Sequence, residues 1–254
     1  FDFTRASSAT VVNEAGLVET VGSGVPRIDF SDATDGALLL EPQRINSLLY
    51  SEEAATTPGA TLSNTISPDG TLNGVKFNET AGSAQHYGRT YGAQVVSGTI
   101  YTVSFYIKKG TYDTVHFYPS SSLMSASMSV TFSSESTNPS GTAFISGSNF
   151  LEDAGNGWYR AGFSATAGAT GSMIMYMPVK NLDSYTGDTS QYTEYWGLQV
   201  EEGPYATSYI PTSGTAVTRV AETCSQTGIG NSINSTEGVL FVEMAALSND
   251  LAYR

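Results

Sequence analysis

Along most of this chain apolar and polar residues alternate with a period of two, the pattern of half-buried β-strands. In residues 101–108, Tyr101, Val103, Phe105 and Ile107 fall on one side, and Thr102, Ser104, Tyr106 and Lys108 on the other. Val115 and Phe117 likewise alternate with Thr114, His116 and Tyr118, and Tyr159, Ala161 and Phe163 with Trp158, Arg160 and Ser164. The same reading marks strands at 74–77, 98–108, 113–118, 124–132, 141–144, 157–165, 172–178 and 196–201. Turn signals separate them, among them Asp69-Gly70, Lys109-Gly110, Asn138-Pro139-Ser140-Gly141 and Gly155-Asn156-Gly157. No stretch has convincing helical periodicity. Short strands at this density predict an all-β sandwich or barrel.

The stretch 195–211 organises the rest. Trp196, Leu198 and Val200 are expected on one face, and Tyr195, Gly197, Gln199 and Glu201 on the other. Glu202-Gly203-Pro204 then turns the chain, and Tyr205, Tyr209 and Ile210 give the return path its apolar weight. This reads as the closing strand of a β-sandwich and its exit.

Ahead of the sandwich (54–212), residues 1–53 form a leader of short hairpins. Thr10-Val11-Val12 and Leu17-Val18 flank a turn with Gly16 at its left-handed position; Arg27–Phe30 and Ala37–Leu40 form a second pair. Pro42 argues against helix afterwards. Leu38, Leu39 and Leu40 before the proline, and Leu48, Leu49 and Tyr50 after it, are expected to be buried against the next domain or a partner chain. Residues 213–236 read as a Ser/Thr/Gly-rich linker with one short strand at 216–221. Residues 237–254 read as the start of a further β domain, and the whole as a piece of a longer polypeptide.

Composition narrows the function classes. Charged residues make up only 14% of the 254, and the net charge is −13. Eleven basic residues scattered among twenty-four acids cannot build the cationic groove that nucleic acid requires, and they disfavour anionic membrane surfaces. One cysteine, Cys224, excludes an internal disulfide and a cysteine-based zinc site. No apolar run reaches the roughly 20 residues of a membrane helix.

Two sets of motifs carry a family resemblance. The first is Asp2-Phe3-Thr4-Arg5-Ala6-Ser7-Ser8-Ala9-Thr10, with Pro26-Arg27-Ile28-Asp29-Phe30 and Leu39-Leu40-Glu41-Pro42-Gln43-Arg44-Ile45-Asn46. It resembles the leader of tailed-bacteriophage virion proteins of the head-fibre, spike or tail-fibre type. In that leader a second basic residue commonly follows Ala9-Thr10; here Val11 stands. The second is Gly157-Trp158-Tyr159-Arg160 with Trp196–Gly203 and Ala206–Thr212, which resembles a jelly-roll module similar to carbohydrate-binding modules. The strand from Glu237 is similar to the start of a concanavalin-like lectin sandwich. The resemblance implies a jelly-roll β-sandwich in a structural, adhesive virion component. It also implies self-association, a trimer above all, through the leucine-rich leader, contact with other virion proteins, and a glycan on the host surface as ligand. The alternative is a carbohydrate-binding module of a secreted bacterial polysaccharide-degrading enzyme.

The residues speak against catalysis. Only His86 and His116 could serve as the base of a triad, and there is no G-x-S-x-G elbow. Glu201 and Glu202 are adjacent and so point to opposite faces; no carboxylate pair suits glycoside hydrolysis. Asp29, Asp32 and Asp35, and Asp183 with Asp188, match no calcium-loop spacing. A structural calcium enters only because jelly-roll sugar-binding modules often hold one. Sugar recognition needs an aromatic platform with polar side chains around it. Tyr106, Lys108, Tyr112, His116 and Tyr118 supply both if their strands are neighbours, and the loop His86-Tyr87-Gly88-Arg89-Thr90-Tyr91 is a second candidate. Trp158, Trp196 and the stripe Met173, Met175, Met177 are expected in the core.

Overall fold

A computed structural model describes residues 2–31, 34–120, 122–227 and 244. The strands are, in order, β1 (Asp2–Thr4), the hairpin β2 (Ala9–Val12) and β3 (Val18–Val21), and the hairpin β4 (Arg27–Asp29) and β5 (Ala37–Leu39). Next come β6 (Arg44–Asn46), β7 (Ala55–Thr56), β8 (Ala60–Thr65), β9 (Gly74–Glu79), β10 (Gly82–Ala84), β11 (Tyr87–Val95), β12 (Ile100–Lys108) and β13 (Thr114–Pro119). They are followed by β14 (Ser127–Thr131), β15 (Ser136–Ser140), β16 (Phe150–Asp153), β17 (Trp158–Thr166) and β18 (Gly171–Pro178). The last are β19 (Tyr185–Gly187), β20 (Tyr192–Glu202), β21 (Val217–Arg219) and β22 (Thr223–Ser225). Both leader hairpins form as the turn residues predict, with Gly16 at φ +73°.

Two sheets face each other in a β-sandwich. One has six strands in the order β15-β14-β13-β18-β11-β7; the other has eight, β16-β17-β12-β20-β6-β21 with β9 and β8 joined through β20. Their facing side chains are those the alternation selects: Val103, Phe105, Ile107, Ala161 and Phe163 from the eight-stranded sheet, and Val115, Phe117, Met173, Met175 and Met177 from the six-stranded one. Phe105 and Phe117 stack across the gap, centroids 4.1 Å apart. Gly88 is an obligatory small residue here, because a Cβ on it would lie 1.9 Å from the fully buried Phe77 ring. Gly88→Ala is therefore expected to cost about 1–3 kcal/mol by overpacking, read as a lowered denaturant midpoint with unchanged slope.

The eight-stranded sheet is buried on both faces. Tyr106, Trp158, Trp196 and Tyr209 form a second apolar cluster on its outer side, with Val18 of the leader packed against it. Trp196 and Tyr209 lie 4.7 Å apart, and Tyr106 and Trp196 5.2 Å. This corrects the expected phase of β20. Gly197 sits at φ +60°, and the pairing with β12 shifts between Ser104 and Tyr106. The extra residue of such a bulge turns the side chains before it over. Tyr195 therefore joins Leu198 and Val200 in the main core, while Trp196 faces the outer cluster.

Three further expectations change. Residues 138–140, read as a turn, belong to β15, where Pro139 faces Met128; an edge strand tolerates proline. Residues 141–144 make only an isolated bridge, Phe144 to Ala165. The candidate loop 86–91 is mostly strand β11.

The leader is not free. β6 pairs with β20 and β21, and β1 pairs with β22, so the stretch read as a linker contributes a second strand, β22, besides the one expected at 216–221. The side chain of Asn46 is fully buried: its amide donates to Ile210 O at 2.8 Å and its Oδ1 accepts from Val200 N at 3.1 Å. Of the expected leader contacts, Leu48 is fully buried in the main core and Leu39 and Leu49 are half-buried. Leu38, which β5 presents outward, and Leu40 and Tyr50, which lie outside the strands, are exposed, at 45%, 41% and 40%.

A buried ionic cluster closes the leader onto the chain's other end. The Arg27 guanidinium donates to Glu41 at 2.8 Å, to Glu222 Oε1 at 2.8 Å, to Thr10 O and to Ser208 Oγ. Arg5 reaches Glu222 at 2.6 Å, and Arg219 reaches Glu41 at 2.7 Å. Ser208 donates to Glu41 through its N–H, at 2.7 Å, and its hydroxyl, at 2.6 Å. Segments as much as 217 positions apart are thereby held in one contact. Apart from Met244, the expected strand from Glu237 lies outside the described residues, as does Asp32.

Candidate functional site

The sandwich divides the first candidate cluster for sugar recognition between its two sheets. Tyr106 lies on β12, 4% exposed, and its ring packs against Trp196 and Tyr209. Lys108, at the end of the same strand, lies 5.9 Å from the Trp158 ring. Neither shares a face with His116 and Tyr118, which project from β13 in the opposite sheet. Tyr112, in the turn between those strands, donates its hydroxyl to the buried Glu79 at 3.1 Å, and burial with that carboxylate pushes its pKa up to about 12. Glu79 also accepts from Tyr185 Oη at 2.5 Å and from Asp188 N at 2.8 Å. This carboxylate is fully engaged in holding the 185–188 excursion to β9.

What the structure does bring together lies on the outer face of the six-stranded sheet. Register fixes it. Met175, Met177 and Phe117 point into the core, so Tyr176 and Tyr118 point out; they are direct cross-strand partners. On the next strand Gly88 faces Phe77, so Tyr87 and Arg89 point out, and Arg89 is the partner of Tyr176. Tyr118, Tyr176 and Arg89 thus form one row across three adjacent strands, each step about 4.8 Å. Tyr87 meets Tyr176 edge to face at 5.5 Å. His116, two residues from Tyr118, lies parallel to it, with rings 5.9 Å apart and 10° between planes. All five side chains are half-buried: fixed at their base and open at their edge.

Polar groups border this aromatic row. His116 pairs across the sheet with Ser129, and Ser129 with Asn138. Further along the strands in the other direction Gln94 pairs with Ser172, and the half-buried Ile174 stands between Ser172 and Tyr176. Burial holds the His116 imidazole below its usual pKa, against the weaker pull of Asp183. At pH 7 the ring is neutral, with one nitrogen to donate and one to accept a hydrogen bond. Burial also raises the Tyr118 phenol, so it remains a donor.

Of the residues on this face, the sequence reading names His116 and Tyr118 in its first candidate cluster and Tyr87 and Arg89 in its second; it does not name Tyr176. The signal was present: a Met-x-Met-x-Met stripe that faces the core places residue 176 on the outside.

Other chemistry finds less support. His86 is fully buried, its ring nitrogens facing the carbonyl oxygens of Gly59 and Tyr185. Asp29 accepts from Val12 N and Ser31 N, and Asp188 from Ser190 N, which are turn-stabilising roles. Among the described residues no group of three or more His, Cys, Asp or Glu side chains converges as a metal site. Two small cavities, of about 10 and 30 Å³, lie beside Ser51, Glu52 and Trp196 and beside Ala9, Tyr209 and Arg219; none of the five side chains of the row lines either of them.

No family model matches the chain, and no curated protein matches it significantly. Among solved structures it is similar to the CBM22-1 xylan-binding domain of Paenibacillus barcinonensis Xyn10C, at 8% identity and TM-score 0.35, over 65% of this chain and 94% of that one. A second is the CBM22-1–GH10 part of Clostridium thermocellum xylanase 10B complexed with xylohexaose, at 12% identity and TM-score 0.35, over 66% and 29%. A third is the CBM22-2 xylan-binding domain of the Paenibacillus enzyme, at 12% and 0.34, over 59% and 91%. At these scores the likeness is one of fold at most, and what those domains bind is not carried to this chain by it.

Proposed function

We propose that this chain is a non-catalytic glycan-binding β-sandwich, and that it binds on the outer face of the six-stranded sheet. The observation that carries the reading is the row Tyr118, Tyr176, Arg89 with Tyr87 and His116 beside it. Tyrosine rings anchored by half-burial offer flat apolar faces for sugar rings, and the exposed Asn138 lies on the His116 side, beyond the buried Ser129. An open face of this kind suits a polymer, which needs no deep pocket. The domain would serve as a binding appendage, the setting of a secreted polysaccharide-degrading enzyme. Gel electrophoresis through a panel of soluble polysaccharides tests it: retardation by at least one glycan supports the reading, and unaltered mobility in all of them ends it.

One observation favours a second setting, an oligomeric adhesive fibre of a virion. The β4–β5 hairpin exposes Val25, Ile28, Leu38 and Leu40, and Ile28 and Leu38 are cross-strand partners. An exposed apolar strip on the leader is where chains of a symmetric fibre would share burial. In that setting the purified chain is a trimer by light scattering, and Leu38→Ser with Ile28→Ser returns it to monomer. A monomeric parent excludes it.

A further inference from the structure

We propose that Asn156 is a site of spontaneous deamidation, by attack of the Gly157 backbone nitrogen on its side-chain amide, and that the chain's other Asn-Gly pair, Asn73-Gly74, is protected by the fold. Asn-Gly pairs are open to this reaction because glycine puts no side chain beside the attacking nitrogen. The two pairs stand in opposite surroundings. Asn156 and Gly157 are the central residues of the turn from β16 to β17: Trp158 N donates to Gly155 O at 2.9 Å, and both central residues have positive φ, +54° and +78°. This is the hairpin turn that Asn-Gly favours. Both residues are exposed, and among the described residues nothing hydrogen-bonds the Asn156 amide or the Gly157 N–H. Asn73, in contrast, donates from Nδ2 to Glu52 at 3.0 Å and to Asp69 at 3.1 Å. Gly74 opens β9, is buried, and pairs with Thr65. There the amide must leave two carboxylates, and the strand end must come apart, before nitrogen and Cγ can meet.

Water is the only co-reactant. The Gly157 nitrogen gives its proton to solvent and bonds to Asn156 Cγ; the Cγ–Nδ2 bond breaks, ammonia leaves, and a succinimide ring closes. Water then opens one of the two C–N bonds of the ring. One opening leaves aspartate. The other leaves isoaspartate, whose main chain is one carbon longer. Either product adds a negative charge beside Asp153. The extra carbon of isoaspartate falls in a two-residue turn, where loop length sets strand register, and directly before Trp158, which the outer cluster buries. The hairpin lies at the β16 edge of the eight-stranded sheet, away from the proposed glycan face, so this proposal stands or falls independently of that one.

The test ages the folded chain in mildly alkaline buffer and follows both Asn-Gly peptides by mass spectrometry, with a parallel sample held unfolded in urea. In the folded chain the Asn156 peptide is expected to gain one mass unit and to divide into aspartate and isoaspartate forms. The Asn73 peptide should convert about 100-fold more slowly, the least that two hydrogen bonds to carboxylates supply. In urea the two should convert at comparable rates. An Asn156 that stays intact, an Asn73 that keeps pace with it in the folded chain, or the same disparity in urea overturns the proposal. The isoaspartate fraction should also unfold at lower denaturant than Asn156→Asp, which carries the added charge without the added carbon; equal midpoints overturn the effect on the hairpin.

Discussion

Replacing Glu41 by glutamine is expected to destabilise the fold by about 3–5 kcal/mol, the usual cost of breaking a buried ion pair from one side. Glu41 is 3% exposed and accepts from Arg27, Arg219 and Ser208. Without its charge two guanidinium groups remain in the interior, with Glu222 and the more weakly coupled Glu201 left to compensate. For a chain of this length that corresponds to a fall in melting temperature of about 10 °C, measurable by calorimetry. The pH dependence follows with a definite sign. Arg219 and Arg27 hold the Glu41 carboxyl below its usual range despite burial, and Arg27 and Arg5 do the same for Glu222. Groups depressed in the folded state stabilise fully above the unfolded carboxylate pKa, about 4.3, and lose that contribution as pH falls. Glu201, raised by burial, works in the opposite direction and blunts the loss. The parent should therefore lose stability below about pH 4.5, and Glu41→Gln should lose less over the same interval.

Tyr176→Ala is expected to weaken glycan binding by about 30-fold, or ~2 kcal/mol, the scale of a central aromatic contact. Tyr176 stands between Tyr118 and Arg89 and against Tyr87, so its removal opens a gap in the middle of the row. The ring is only half-buried and faces away from the core, so the far-ultraviolet spectrum and unfolding midpoint should change little. Titration of both proteins with the best ligand from the gel panel checks it. Tyr50→Ala, an exposed tyrosine on the leader, should bind as the parent does.

Local alternation made the strands legible, because burial on one face of a pleated sheet imposes it directly. It did not reveal which strands are neighbours. Tyr106 and His116 sit only ten positions apart in sequence, yet the chain crosses from one sheet to the other between them. Tyr106 also shows why an outward position need not be a surface: the return path carrying Tyr209 covers that face. β11 hid as a loop because Gly88 and Gly92 interrupt its pattern, and Gly88 is demanded by Phe77, a residue eleven positions earlier. The phase slip at Gly197 is a tertiary choice as well. The ionic cluster has no local pattern, since Arg5, Arg27, Glu41, Arg219 and Glu222 span almost the whole described chain. One clue was available: in a chain only 14% charged, Glu41 follows three leucines and Arg219 falls between Val217 and Val220. Charges in such places need buried partners.

The most direct test of where this protein binds is an amide chemical-shift map recorded while the best polysaccharide fragment is titrated in. The account predicts that shifts concentrate at residues 87–89, 116–118 and 174–176, with Tyr106, Trp158 and Trp196 unmoved. Shifts confined to the leader hairpin or to 180–188, or none at saturating glycan, would contradict it.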